Sequence, residues 1–223
     1  LERFVYASSG CSIYGKTKMP FSESNVDLMN LTTPYQVTKG LGEMYGNYYL
    51  QQYGTPVTYA RFFNSFGPGE VPGQYRNVVP NFFYWARKGK PLPITGTGEE
   101  TRDFTFVEDV ITGLISMSTL PPQKVVGEAF NLAAGREVKI IDLARMINSL
   151  TNNDNNLVYK NRRKWDVKQR LLADNTKAKQ VLGLKVNLDF AKCLESTNEW
   201  FHENWQNIEN SALFSPGLSS AVR

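Results

Sequence analysis

Histidine is nearly missing from this sequence: His202 is the only one in 223 residues. A histidine-based metal centre or a Ser-His-Asp triad has almost nothing to be built from, and no metal site is expected. Cysteine is scarce as well. Cys11 and Cys193 cannot make a disulfide framework, which points to a reducing compartment, the cytoplasm. No apolar run approaches the ~20 residues that span a bilayer, so no membrane partner is expected. The opening "LERFVYASSG" has no initiator methionine and no basic region ahead of an apolar core, so it does not read as a signal peptide. Internal repeats and low-complexity segments are absent too.

What is present is the make-up of an ordinary globular protein, 41% hydrophobic and 21% charged, long enough for one large domain or two small ones. The net charge of +4 suits an anionic small molecule as well as a nucleic acid. "RFVYA" reads as a buried strand almost at the first residue, and a chain that starts inside a strand is expected to lack something upstream. Residues 35–53 predict a helix, with Leu41, Met44, Tyr45, Tyr48 and Tyr49 recurring at three- and four-residue intervals. Gly54 and Pro56 end it and "VTYARFF" follows as a strand, the signature of a βαβ unit. Beyond a Gly/Pro loop, helices are predicted at 78–87, 107–120, 140–150, 174–182 and 188–205. Short strands are predicted at 92–95, "DFTF", 128–132 and "LVYK", with a loose tail from Asn210.

Tyr35 and Lys39 in "TTPYQVTKG" lie one turn apart on one helix face. A phenol loses its proton near pH ~10, and a neighbouring ammonium favours the phenolate, so the pair suits proton transfer. Alone the pattern is short. Four further pieces occur with it in a fixed order: "SSGCSIYG" after a strand, "RFFNSFGPG" at the end of the next, "TRDFTFVEDV", and "RRKWDVKQRLLADNTKAKQVLG". Together, over residues 3–202, they resemble the extended short-chain dehydrogenase/reductase family, specifically its NAD-dependent nucleotide-sugar epimerases and dehydratases.

The resemblance implies an α/β fold: the last strands of a Rossmann-type parallel sheet plus a smaller mixed α/β substrate-binding lobe. No G-x-x-G-x-x-G or G-x-G-x-x-G follows a strand here, so the N-terminal Rossmann half is expected to be absent from the chain. Residues 1–69 are then the rest of the NAD-binding domain. Residues 70–223 are mostly the substrate lobe, with segments around 102–135 returning to the first domain. The implied cofactor is NAD, held by Ser8, Tyr35, Lys39, Phe62 and Ser65. The implied substrate is a nucleoside diphosphate sugar, oxidised to a transient keto-sugar with Tyr35 as base, helped by Lys39. Asn64, Asn77 and the Val78 N–H would hold the phosphates and Arg102 and Arg163 would grip the diphosphate. Pro93 and Thr95 would line the base, and Asp166 would face the ribose or orient Arg163. Relatives commonly dimerise through the helix at 35–53, where Gly42 and Gly46 would permit close approach, so a homodimer is expected. The basic run Lys160, Arg162, Arg163, Lys164 lies beside the substrate segment without a nucleic-acid-binding motif, and no nucleic-acid partner is expected.

One departure bears on the chemistry. Where the family usually carries a Ser or Thr, four residues before the tyrosine of "YG", this chain has Gly10, followed by Cys11 and Ser12. Neither of these is a good general acid, which disfavours dehydration and leaves an epimerase or ketoreductase. A dehydratase, decarboxylase or reductase of the family, or a non-catalytic nucleotide-sugar-binding homologue, is the alternative. Ser12, closer than Ser9 to the "YG" turn, is the expected replacement hydroxyl. On this reading Ser9→Ala does little, and Gly10→Ser restores part of the function.

Overall fold

The computed structural model describes residues 1–212 and Phe214, apart from Tyr75, residues 163–165, Val167 and Leu188. In chain order, β1 (Phe4–Ser9), α1 (Pro34–Tyr53), β2 (Val57–Phe62) and β3 (Ser65–Phe66) precede α2 (Val78–Arg87), β4 (Pro93–Thr95), β5 (Thr101–Arg102) and β6 (Thr105–Phe106). There follow α3 (Val107–Thr119), α4 (Pro122–Val125), β7 (Ala129–Leu132), β8 (Val138–Lys139), α5 (Ile140–Thr151) and β9 (Val158–Lys160). The chain closes through a π-helical turn at Ala178–Leu182, α6 (Phe190–Glu203) and α7 (Trp205–Ser211).

Two compact units result. The first holds Leu1–Ser65, Asp103–Arg136 and Leu171–Asn187. Its centre is a parallel sheet in the order β1-β2-β7, in which Phe4 stands opposite Val57 and Tyr59 opposite Ala129. Both faces of β2 are buried, which is why its sequence is a near-continuous apolar and aromatic run. Ala60, Val110, Met117, Phe130, Leu132 and Leu182 fill the core beneath it.

α1 starts where the sequence asks for a start. Thr33 caps it, accepting from the Gln36 N–H while the Gln36 side chain reaches back, and Pro34 needs no N–H partner in the first turn. Gly54 ends it in the left-handed conformation, at φ 64°. The helix packs the other way round from its pattern of large residues. Leu41, Met44, Tyr45, Tyr48 and Tyr49 are exposed. The face toward the sheet is lined by glycine, because a Cβ on Gly42 would meet the Tyr6 ring and one on Gly46 the Tyr59 ring. Gly42 and Gly46 thus permit close approach to the chain's own strands, not to a partner helix.

The second unit holds Phe66–Arg102, Glu137–Arg170 and the chain from Leu188. Here β4 pairs in parallel with β9 and β5 antiparallel with β8. Among its helices, Arg87 on α2 donates to the Asn198 carbonyl and side-chain oxygens on α6, and Asn198 donates to the Leu150 carbonyl on α5.

Two predicted elements differ. "DFTF" is not one strand, because Asp103 at its head is buried and accepts the N–H groups of Gly135 and Ala173 (3.2 and 3.1 Å) instead of extending a ladder. The helical region after 188 breaks at Asn204, and α7 carries on through Asn210 and Ser211, where a loose tail is predicted.

The Asp103 carboxylate joins two of the three stretches of the first unit, Asp103–Arg136 and Leu171–Asn187, and burial pushes it from 3.8 up to about 6. Because the folded value is raised, the stability this group contributes is complete below 3.8 and is lost as pH rises through about 6. Chemical denaturation across that window should therefore favour Asp103→Asn over the wild type progressively, by about 1–3 kcal/mol in all. Parallel pH profiles for the two proteins would refute the assignment.

Candidate active site

Tyr35 occupies the first turn of α1, mostly exposed, with Lys39 one turn further on. The Lys39 ammonium lies 5.7 Å from the centre of the Tyr35 ring and 5.6 Å from that of Tyr6. It donates to the Ala7 carbonyl at 2.7 Å. The N–H groups of Phe4 and Gly10 bond to β2, so the alternate carbonyl of Ala7 points to the other edge of β1.

A third residue on the same stripe, Glu43, was not anticipated. Its carboxylate takes two bonds from Arg61 on β2 (3.0 and 2.7 Å) and one from the Ser8 hydroxyl. Arg61 also donates to the Tyr14 hydroxyl and the Glu23 carbonyl. Tyr14, the tyrosine of "YG", donates to Asn131 on β7 at 2.6 Å, and burial pushes it up to about 12. It is a structural phenol. The sequence cue was there: Glu43 continues the Tyr35, Lys39 spacing by one more turn.

This network gives Ser8 a task other than cofactor contact, because its buried hydroxyl is bound to Glu43. Ser12 is buried and donates to the Ser9 hydroxyl at 2.9 Å. The two hydroxyls are thus coupled, so a change at Ser9 removes the acceptor of the Ser12 hydroxyl. Gly10 is explained by packing: a Cβ there would stand 1.8 Å from a ring carbon of Phe63, a fully buried side chain. The expectation that Gly10→Ser restores a hydroxyl therefore fails on space. Phe62 ends β2 half-buried, and Ser65 begins β3. Asn64, between them, adopts a left-handed backbone (φ 31°) and donates to the Asp103 carbonyl at 3.3 Å. Tyr35, Lys39, Ser8, Ser12, Phe62, Asn64 and Ser65 all belong to the first unit.

The remaining candidates belong to the second unit. Asn77 is the N-cap of α2 and Val78 its first residue, but the Asn77 side chain caps no helix N–H; it donates to Glu70 at 3.0 Å. Pro93 and Thr95 share one face of β4, with Ile94 buried between them. Arg102 grips both carboxylate oxygens of Asp166 (3.0 and 3.2 Å), so Asp166 orients Arg102. Arg163 lies outside the described residues. Its neighbour in the basic run, Arg162, is partly buried. Its Nη2 stands 3.8 Å from Asp166, beyond hydrogen-bond reach, and its Nε and Nη2 are buried without a partner among the described residues. No group of three or more His, Cys, Asp or Glu that could hold a metal occurs among the described residues.

The model of the NAD dependent epimerase/dehydratase family matches residues 1–133. The chain belongs to that family. It is similar to the solved epimerase Mth375 of Methanothermobacter thermautotrophicus, with 53% identity and a TM-score of 0.92, over 96% of this chain and 63% of the other. It also resembles WbmF of Bordetella bronchiseptica, solved with NAD+ and UDP, with 36% identity and a TM-score of 0.77, over 93% of this chain and 61% of that one. A UDP-N-acetyl-alpha-D-glucosaminuronate decarboxylase of Bacillus cytotoxicus is 32% identical over 94% of this chain and 65% of its own length. The chain thus spans under two thirds of the relatives it matches, and these divide among epimerases, dehydratases and decarboxylases.

Gly10 and Phe63 yield a packing test. Gly10→Ser should lower stability by about 1–3 kcal/mol, the usual cost of overpacking a filled site. Relative to Phe63→Leu alone, the double variant should lose much less. Equal losses in both backgrounds, measured by thermal denaturation, would show that the ring is not what excludes a side chain.

Proposed function

We propose that this chain carries the proton-transfer and substrate-binding parts of an NAD-dependent nucleotide-sugar epimerase. The observation that carries the reading is Lys39: its ammonium is pinned beside the Tyr35 ring, at the C-terminal end of parallel strands, where ligands of open α/β sheets gather. Hydride acceptance and return is the chemistry NAD supplies when bound. Tyr35 takes the proton of the sugar hydroxyl that is oxidised and returns it on reduction. Lys39 places positive charge beside the phenol and offers donors to ribose hydroxyls. The residues present fit the nicotinamide end of the cofactor: the phenol is exposed, and Phe62 and Ser65 lie where β2 ends. In the second unit, Asn77, Val78, Pro93, Thr95 and Arg102, with Asp166 behind Arg102, are assigned to the nucleoside diphosphate. Arg163 keeps its place in that set from the sequence alone. Asn64 is assigned to the substrate's phosphate side.

The glycine-rich pyrophosphate cradle belongs, on this reading, to an upstream segment of the full protein. An apolar groove of about 310 Å³ between β1 and α1, lined by Phe4, Tyr6, Tyr45, Tyr49 and Val57, supports an added element there. The exposed residues Leu41, Met44 and Tyr48, outside that groove, support self-association through the outer face of α1. The two cysteines make no disulfide framework, and on that ground we assign the enzyme to the cytoplasm; among the described residues no helix is long and apolar enough to cross a membrane.

In the full-length protein, Tyr35→Phe should lower turnover with its nucleotide sugar by ~10²–10⁴-fold. Ser12→Ala and Ser9→Ala should each cost ~10-fold, since removing either hydroxyl leaves the other unpositioned. Turnover with Tyr35→Phe close to wild type would sink the assignment. Light scattering should give a dimer for the full-length protein that Tyr48→Glu converts to monomer; a wild-type monomer would remove the α1 interface.

A further inference from the structure

The start of α2 already holds an anion of the chain's own. Glu70 accepts the side-chain N–H of Asn77 at 3.0 Å and also its backbone N–H. Its other oxygen, Oε2, is buried without a hydrogen-bond partner among the described residues. The arrangement diverts Asn77 from its ordinary work, since an asparagine N-cap normally accepts from the helix N–H two or three residues on. Val78 and Val79 at the head of α2 thus receive no side-chain cap from Asn77, and Pro80 has no N–H to offer. A carboxylate near these donors is favoured by the helix dipole, as a phosphate would be.

We propose that Glu70 is a built-in competitor for the substrate's diphosphate, holding Asn77 until a phosphate oxygen takes its place. This rests on the assignment of Asn77 and Val78 to the substrate's phosphates. Two anions cannot share so few donors: either Glu70 is neutralised by a proton or its carboxylate leaves. The loop that carries it turns on Gly67 and Gly69, both at positive φ (143° and 95°), and open space surrounds Gly69. Burial pushes the Glu70 carboxyl from 4.5 up to about 7, while the Asn77 bonds and the charge of Arg76, its one charged neighbour among the described residues, oppose the rise. Around neutral pH the competitor is therefore part charged and part neutral. Binding of a diphosphate should be easiest below about pH 7 and hardest above it.

The test is calorimetric titration of the chain with UDP-glucose and with dTDP-glucose, whose diphosphate diesters keep their charge across this range. Glu70→Gln keeps the shape and the acceptor for Asn77 but never ionises. Between about pH 6 and about pH 8 the wild type should weaken about tenfold relative to Glu70→Gln, the variant binding more tightly at the upper end. Equal affinities at both pH values, or a weaker Glu70→Gln, would overturn the competitor while leaving the phosphate site in place. No binding of either sugar nucleotide by either folded protein, checked by circular dichroism, would remove the phosphate site and the competitor with it.

Discussion

A guanidinium buried under a helix must meet a carboxylate, and Arg61 meets Glu43. Leaving either charge alone in that position would cost about 3–5 kcal/mol, so the pair dictates how α1 lies on the sheet. Glu43 must face inward, over β2. Lys39 and Tyr35, four and eight residues earlier, then fall on the stripe that runs along the same edge toward the strand ends. The same pair recruits Ser8 from β1, and through Tyr14 it reaches Asn131 on β7. All three strands of the parallel sheet and the helix above them are tied together by one polar cluster. Asn131 extends the chain of bonds by donating to the carbonyls of Phe21 and Asp174. The helix has little apolar grip of its own, since Gly40 is its one fully buried residue. Its position therefore depends on the ion pair more than on packing.

That dependence explains what the sequence made legible. Periodicity and punctuation located α1, β2, α2 and α5, because Thr33, Pro34, Gly54 and the apolar run of β2 act locally. The spacing of Tyr35 and Lys39 was readable for the same reason. Which face of α1 lies inward was not. Large residues at helical spacing normally mark the buried side, and here Tyr45, Tyr48 and Tyr49 mark the outer one. Glu43 and Arg61 were missed because their partnership spans a helix and a strand, and a lone Glu in a helix ordinarily reads as solvated. Asp103 misled in the same way. In the string "DFTF" it looks like the polar end of a strand, whereas its carboxylate is spent on backbone donors 32 and 70 residues away.

The family's motif and this chain diverge at Gly10, and the structure assigns a cause to the divergence. Phe63 fills the space a side chain at residue 10 would need and reaches the ring of Tyr14, 6.2 Å away between centres. Glycine at 10 and phenylalanine at 63 are thus one choice made at two positions. On the proposed assignment the hydroxyl that the motif would have placed there comes from Ser9 and Ser12, which are hydrogen-bonded to each other in the same turn. A hydroxyl bonded to another hydroxyl keeps one donor for the second partner, since each carries one O–H and two lone pairs. Two serines can therefore present what one would, provided that neither is altered alone.

Lys39 joins the polar cluster below to the chemistry above. An ammonium has three donors and no acceptor. One donor goes to Ala7, on the side of β1 away from β2, and this bond ties the side chain to the strand instead of leaving it to wander in water. The other two remain for groups that approach from the Tyr35 side. A solvated lysine would lose rotamer freedom, up to about 2 kcal/mol, on binding a ligand. Here much of that loss is already incurred in the folded chain, offset by a bond to a carbonyl that β2 cannot reach. The cation then stands near the phenol before any ligand arrives, and positive charge fixed in advance is what the proposed proton transfer at Tyr35 would require. The order of causes runs from Arg61 to Glu43, from Glu43 to the lie of α1, and from α1 to the reach of Lys39.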